Sequence, residues 1–111
     1  MTDASGQRGR SGKVIRRAQR SKLFAPAELR SATGLQQGFL LDVSISGGQI
    51  HVGRPPAAGT IVTVTCGRVT RPARVAWVEG RRTGLAFIMP LDASEVAHVM
   101  TSSETGRVPL R

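Results

Sequence analysis

Apolar and polar residues alternate with a period of two along much of this chain, which predicts β-strands. Gly and Pro residues separate six candidate strands at residues 27–31, 35–46, 49–52, 61–66, 71–78 and 85–89. Short strands at such close spacing predict an antiparallel barrel or sandwich. The one helix signal comes last, at about residues 92–104, where Asp92 or Ser94 can act as the cap. Its apolar face, Val96, Val99 and Met100, is expected to cover one end of the strands.

The alternation also predicts which side chains of residues 39–46 face the core. The set predicted to point inward is Phe39, Leu41, Val43 and Ile45, and the set predicted to point outward is Leu40, Asp42, Ser44 and Ser46. Aspartate is disfavoured within a strand, and a ligand with N–H donors would explain its presence there. Trp77 shares its predicted face with Ala73 and Val75, so we expect it in the core.

Charge is concentrated near the amino terminus. The chain has 111 residues, room for one domain, and a net charge of +9. Residues 1–22, which we call the basic arm, hold seven Lys/Arg against one Asp, or +6, and the remaining residues hold nine against six, or +3. This distribution fits either an anionic partner or a solvated tail. We expect residues 1–12 to be a flexible basic tail and residues 13–111 to be a single domain.

The sequence gives no sign of catalysis, of metal binding or of a membrane span. The one cysteine, Cys66, lies in an apolar strand and is expected to be a small core residue. His51 and His98 are isolated, and no pair of carboxylates is evident, so we expect a protein that is not an enzyme and needs no cofactor. No apolar stretch approaches 18 residues, which favours a cytoplasmic protein without membrane insertion.

Two clusters carry the candidate chemistry, one in the basic arm and one in the second candidate strand. The residues that define them are Arg16 and Arg20 in the first cluster, and Asp42, Ser44 and Gly47 in the second. Together they resemble the bipartite signature of PilZ domains, R-x-x-x-R followed by D/N-x-S-x-x-G. PilZ domains are bacterial receptors for the second messenger cyclic di-GMP. Residues 71–78 and 83–87 look like the last two strands of that family's barrel, so the resemblance runs from about residue 13 to residue 92.

The resemblance implies an all-β fold, a small six-stranded antiparallel barrel with a short C-terminal helix, and a ligand site at the two clusters. Arginine suits both ends of cyclic di-GMP, because its planar fork pairs with phosphate oxygens or with guanine O6 and N7. Asp42 is the expected reader of guanine N1–H and N2 amino donors, and Ser44 adds a hydroxyl. Gly47 would permit either close backbone approach or a positive φ. Arg17 and Gly48 are possible additional contacts.

The resulting hypothesis is a cyclic di-GMP receptor whose arginine arm changes conformation on binding. Its output would be regulation of a downstream effector protein, in motility, surface polysaccharide or a related behaviour, as the family resemblance implies. One alternative is a PilZ-like adaptor that binds no ligand. A further alternative is a small basic barrel that binds nucleic acid, which is disfavoured because no aromatic stacking platform is evident on a strand face.

Overall fold

The computed structural model describes residues 21–107, with side chains through Ser102, and shows six strands followed by one helix. The elements are β1 Ser21–Ser31, β2 Gly34–Val43, β3 Gly47–Val52, β4 Ile61–Cys66, β5 Val69–Glu79, β6 Arg82–Phe87 and α1 Ala93–Arg107. The strands form a closed antiparallel barrel in the order β1-β2-β3-β6-β5-β4, and β1 also pairs with β4. This confirms the predicted six-stranded barrel with a short C-terminal helix.

Predicted strand boundaries differ from the structure by one to six residues in five of the six strands, and two of these differences lie near the second cluster. β1 begins at Ser21, six residues earlier than the predicted residue 27. Pro26 is compatible with the strand because β4 pairs only with residues 28–30 of β1, so Pro26 has a paired neighbour on one side only. The predicted strand 35–46 ends at Val43, because the next residues turn into β3.

The barrel interior is filled by small and medium apolar side chains. The buried core comprises Ala25, Ala27, Leu29, Leu40, Val43, Ile50, Val52, Val62, Val64, Cys66, Ala73, Val75, Leu85, Leu91 and Val99. Cys66 is therefore a core residue, as predicted, and burial raises the pKa of its thiol. At about 25 cal/mol per Å², burial of such side chains is the main stabilising contribution to the fold.

Helix α1 packs against the barrel through its apolar face. Val99 is buried in the same cluster as the barrel core, and Val96 and Met100 pack against that cluster. The predicted role of this face is thereby confirmed. Asp92 caps the helix: its Oδ1 accepts a hydrogen bond of 2.8 Å from the Glu95 N–H, while Glu95 Oε1 accepts one of 3.0 Å from the Asp92 N–H.

Two polar contacts also attach α1 to the β4–β5 hairpin. Arg71 forms a half-buried ion pair with Glu95, with 2.5 Å between the nitrogen and oxygen atoms. The Arg68 backbone N–H donates to Nε2 of His98, at 3.0 Å. Gly67 has a φ of +62°, and a Cβ there would lie 2.5 Å from His98 Nε2. Glycine is therefore required at this turn both for the backbone conformation and for the approach of the helix.

Candidate functional site

A β-bulge in β2 determines how Asp42 is presented. Leu40 pairs with Ile50 of β3 and Asp42 pairs with the preceding residue, Gln49, so Leu41 is the extra residue between them. An inserted residue reverses the alternation on its two sides. This explains a wrong prediction: Leu40 is buried and Phe39 is 38% exposed, although Val43 does face the core as expected.

Asp42 lies on the outer side of the sheet and is nevertheless buried. Its Oδ2 accepts a hydrogen bond of 2.7 Å from Nε2 of Gln49, and Gln49 alternates with the core residue Ile50. The two polar side chains therefore share the outer face of β2 and β3. Asp42 therefore points outward as predicted, although only 4% of the residue is exposed.

A second bulge, in β5, moves Trp77 out of the core. Val75 pairs with Leu85 and Trp77 pairs with Gly84, which leaves Ala76 as the extra residue. Trp77 is 38% exposed, so its predicted core position is wrong. A Cβ on Gly84 would lie 2.2 Å from the indole Nε1, which shows that the indole lies directly across the Gly84 backbone.

The pairing register brings these residues into one line across five strands. Going round the barrel from β1 to β5, the successive partners are Lys22, Asp42, Gln49, Gly84 and Trp77. We call this line the outer row. With neighbouring strands about 4.8 Å apart, four steps give a length of about 19 Å, measured along the curved surface. The outer row combines a cation, a carboxylate, an amide and an indole.

Ser44 organises the turn that follows β2. Its backbone N–H donates to the Gly47 carbonyl at 2.8 Å, and its Oγ accepts from the N–H groups of Ser46 and Gly47 at 3.2 and 3.3 Å. Its side chain is buried, with 2% exposed. Ile45, predicted to face the core, is 45% exposed because it sits at the tip of this turn. The Ser and Gly of the D-x-S-x-x-G sequence thus hold the turn between β2 and β3 in place.

Gly47 and Gly48 are required by close strand packing. A Cβ on Gly47 would lie 2.1 Å from the Leu85 carbonyl oxygen, and one on Gly48 would lie 2.5 Å from the Asp42 carbonyl oxygen. Neither glycine has a positive φ. Of the two explanations expected for Gly47, the structure supports close backbone approach, and the approaching group is strand β6.

The Ser44 turn is also hydrogen-bonded to the segment that leads into α1. The Ser46 carbonyl accepts from the Phe87 N–H and the Ile45 carbonyl accepts from the Leu91 N–H, both at 2.9 Å. Leu91 immediately precedes Asp92, the helix cap. A cavity of about 210 Å³, lined by Ser21, Ser44, Ile45, Ala93 and Val96, lies between the turn and the helix. The turn and the start of α1 are therefore neighbours.

The arginines of the first cluster lie outside the described residues. The structure gives no position for Arg16, Arg17 or Arg20, and the predicted tail 1–12 also falls there. The starting point of β1 is described, and Ser21 pairs with Val43. Because Arg20 is bonded to Ser21, its Cα lies about 3.8 Å from the Ser21 Cα, and the Arg16 Cα lies within about 18 Å. The basic arm therefore joins the barrel beside Asp42 and Ser44.

Sequence reasoning missed Gln49 and assigned Trp77 to the wrong side. The sequence did contain one signal for the position of Trp77. Gly84 lies opposite Trp77 in the β5–β6 hairpin, and an exposed aromatic side chain often packs over a cross-strand glycine. Other sites are not evident within residues 21–107. No group of three or more His, Cys, Asp or Glu side chains in that range can hold a metal ion, and no helix there is long and apolar enough to span a membrane.

A cavity larger than the one beside the Ser44 turn lies away from the second cluster. It has a volume of about 370 Å³ and is lined by residues at the start of β2 and in the β3–β4 loop, namely Thr33, Gly34, Leu35, Gln36, Arg54, Pro55 and Pro56. Asp42 and Ser44 lie at the other end of β2. The candidate site is therefore identified by the pairing register and the bulges, and cavity size does not identify it.

Comparison with known proteins agrees with the observed fold. A family model described as the PilZ domain matches residues 15–102. Among solved structures, the PilZ domain of CeSA from a cellulose-synthesizing bacterium has a similar fold, with a TM-score of 0.56 and 20% identity. The match covers 83% of this chain and 97% of that one. None of the curated proteins compared with the chain is similar enough to count as a relative.

Proposed function

The chain belongs to the PilZ domain family, and on that premise we propose that it is a receptor for cyclic di-GMP. The family contains domains that bind this ligand and PilZ-like domains, so membership alone does not decide between them. The observation that carries the proposal is the outer row. It places a carboxylate, an amide and an indole together on the surface at which the basic arm joins the barrel.

Phosphate recognition is assigned to the basic arm. Arg16 and Arg20 are separated from Ser21 by chain lengths of at most about 18 and 4 Å, and the outer row is about 19 Å long. Both guanidinium groups can therefore reach a ligand lying on the row. Arg17 is a possible additional contact. The arm's charge of +6 also raises the rate of encounter with an anionic ligand.

Guanine recognition is assigned to Asp42, which accepts from N1–H and the N2 amino group. Only 4% of the Asp42 residue is exposed, so binding has to uncover its carboxylate. We assign the conformational change to this step, with the arm closing over the bound ligand. Ser44 and Gly47 contribute by shaping the turn beside Asp42, and Gly48 by allowing β3 to pack against it.

Trp77 adds a stacking surface at the far end of the outer row. One side of its indole lies across Gly84, and 38% of the residue is exposed. A guanine stacked on the exposed side would gain about 1–3 kcal/mol, the usual contribution of base–aromatic stacking. Because residue pairing places Trp77 two strands from Gln49, the same base can contact both.

The output is assigned to the turn and helix α1. The hydrogen bonds from Phe87 and Leu91 to the Ser44 turn connect the site to the helix cap. A shift of that turn on binding would move the start of α1 and change the surface offered to an effector protein.

The nucleic-acid alternative gains one observation from the structure. The predicted absence of exposed aromatic side chains on the strands is wrong: Phe24 and Phe39 stack on each other with ring centroids 4.4 Å apart, and both are exposed, as is Trp77. A single-stranded RNA is therefore a necessary competitor in any binding test.

Calorimetric titration of the purified full chain tests the proposed function. We expect saturable binding of cyclic di-GMP that GTP and a random RNA oligonucleotide do not displace. Removing a charge-assisted partner costs about 1.5–3 kcal/mol, so Arg20→Ala is expected to weaken binding about tenfold or more. Arg30→Ala is the matched control, because Arg30 is an exposed arginine at the other end of β1. Equal affinities in all three proteins would contradict the arginine assignment, and tighter binding of RNA would favour the alternative.

A further inference from the structure

Gln49 is a polar residue of the outer row that reaches the surface beside Asp42. One amide N–H of Gln49 donates to Asp42 Oδ2 at 2.7 Å. Gln49 is only half-buried, whereas Asp42 is 4% exposed. A primary amide carries two N–H donors and a carbonyl oxygen. Within residues 21–107, the structure shows no other hydrogen bond of this amide, so its second N–H remains available next to the carboxylate.

The guanine edge requires a donor at that position. It presents N1–H and an N2 amino group as donors, with the acceptor O6 next to them. A carboxylate offers acceptors only, so Asp42 can satisfy N1–H and N2 and leaves O6 without a partner. A buried or half-buried acceptor left without a hydrogen bond costs free energy on binding. The second N–H of Gln49 lies on the same face as Asp42 and supplies the missing donor.

We propose that Gln49 is a specificity-determining residue that donates to guanine O6 while its other N–H holds the Asp42 carboxylate. This inference rests on the proposed function, since it assumes that cyclic di-GMP binds at the outer row. Adenine carries an amino group where guanine carries O6, so a Gln49 donor would face a second donor. The Asp42–Gln49 pair thus accepts guanine and rejects adenine through complementary hydrogen bonds.

Three cyclic dinucleotides separate this contact from the others. Cyclic di-GMP has O6 and the N2 amino group, cyclic di-IMP has O6 but lacks the N2 amino group, and cyclic di-AMP lacks O6. In Gln49→Leu we expect affinity for cyclic di-GMP and cyclic di-IMP to fall by the same factor, about tenfold, because both lose one hydrogen bond to O6. Affinity for cyclic di-AMP is expected to stay the same or rise. Gln49→Glu replaces the donor by an acceptor and is expected to shift preference further towards adenine.

Gln37→Leu is the matched control. Gln37 also donates from its amide to a carboxylate, Glu28 Oε2 at 3.3 Å, but it lies outside the outer row. We expect this variant to retain the wild-type ratio of guanine to adenine affinity. Lys22→Met tests the donor on the other side of Asp42, since Lys22 pairs with Asp42 from the β1 side.

The outcomes distinguish this inference from the proposed function. If the wild-type protein binds no cyclic di-GMP, the proposed function fails and this inference fails with it. If the wild type binds but Gln49→Leu keeps the guanine-to-adenine ratio, or loses affinity equally for all three ligands, the inference is wrong and the proposed function stands. A ratio changed by Lys22→Met and not by Gln49→Leu would assign O6 to Lys22. Melting curves of both Gln49 variants confirm that they are folded.

Discussion

Replacing Gly47 by alanine tests whether this motif glycine is needed for the barrel or for the ligand. An added Cβ would lie 2.1 Å from the Leu85 carbonyl oxygen and 3.2 Å from the Leu85 carbonyl carbon. These atoms belong to the backbone of β6, which is paired with β3 on one side and with β5 on the other. The backbone cannot move away without breaking a ladder, so we expect a large loss of stability in the absence of any ligand.

The expected magnitude comes from the cost of overpacking. Such substitutions usually destabilise by about 1–3 kcal/mol, and a contact with a fixed backbone oxygen belongs at the upper end. A loss of about 3 kcal/mol in a domain of this size corresponds to a melting temperature lower by about 12–24 °C. Differential scanning calorimetry of the ligand-free protein measures this shift directly.

Gly53→Ala is the matched control for the change from glycine to alanine. A Cβ on Gly53 meets no atom within 4 Å, and its φ is not in the left-handed region. We expect it to melt at the wild-type temperature or slightly above, since a compatible Gly→Ala change stabilises by about 0.4–1 kcal/mol. The packing argument would be refuted if Gly47→Ala melted within about 4 °C of wild type, equivalent to less than 1 kcal/mol.

Three further predictions concern other parts of the chain. The Thr83 hydroxyl is buried and has no hydrogen-bond partner in the described part of the protein, so Thr83→Val is expected to raise the urea-unfolding free energy by about 1 kcal/mol; a loss of stability would indicate a missed partner. Hydrogen bonds from the Ser94 hydroxyl and the Glu95 N–H lower the pKa of Asp92 in the folded protein. The ionised Asp92 side chain therefore stabilises the fold fully above the unfolded pKa of about 3.9, and this stabilisation is lost as the pH falls through the lower folded pKa. Asp92→Asn retains a capping side chain, so its melting temperature is expected to fall less than that of wild type between about pH 5 and 3, and identical profiles would rule out this role. Finally, amide exchange is expected to show protection rising in residues 16–22 on addition of cyclic di-GMP, with residues 1–10 still exchanging freely; an arm already protected without ligand would exclude ligand-driven ordering as the switch.

The barrel was predictable from sequence because each strand carries a local signal. Val62, Val64 and Cys66 alternate with Thr63 and Thr65 between two glycines, which identifies β4 with its observed bounds. The apolar face of α1 likewise predicts its packing. The start of β1 was not predictable in this way, because Pro26 is a strand-breaking signal whose tolerance depends on the absence of a β4 partner. Which residues of β1 pair with β4 is decided by how the barrel closes, and the local sequence does not show it.

The site was predictable only in part, for a physical reason that concerns the bulges. Strand alternation assigns faces correctly until an extra residue is inserted, and neither Leu41 nor Ala76 differs in type from an ordinary strand residue. The two bulges lie within the β2–β3 and β5–β6 hairpins, and the pairing of β3 with β6, which are distant in sequence, places Asp42 and Trp77 in the same outer row. Gln49 was missed for the same reason, since only the register shows that it lies between Asp42 and Gly84.

The central claim is that cyclic di-GMP binds at the outer row, and the intrinsic fluorescence of Trp77 tests it most directly. The chain has one tryptophan and no tyrosine, so the emission reports on Trp77 alone. Titration with cyclic di-GMP is expected to change the intensity or wavelength of that emission in a saturable way, at the concentrations at which calorimetry detects binding, while cyclic di-AMP has little effect. Calorimetric binding that leaves the Trp77 emission unchanged would contradict the location of the site, and the absence of both signals would contradict the function.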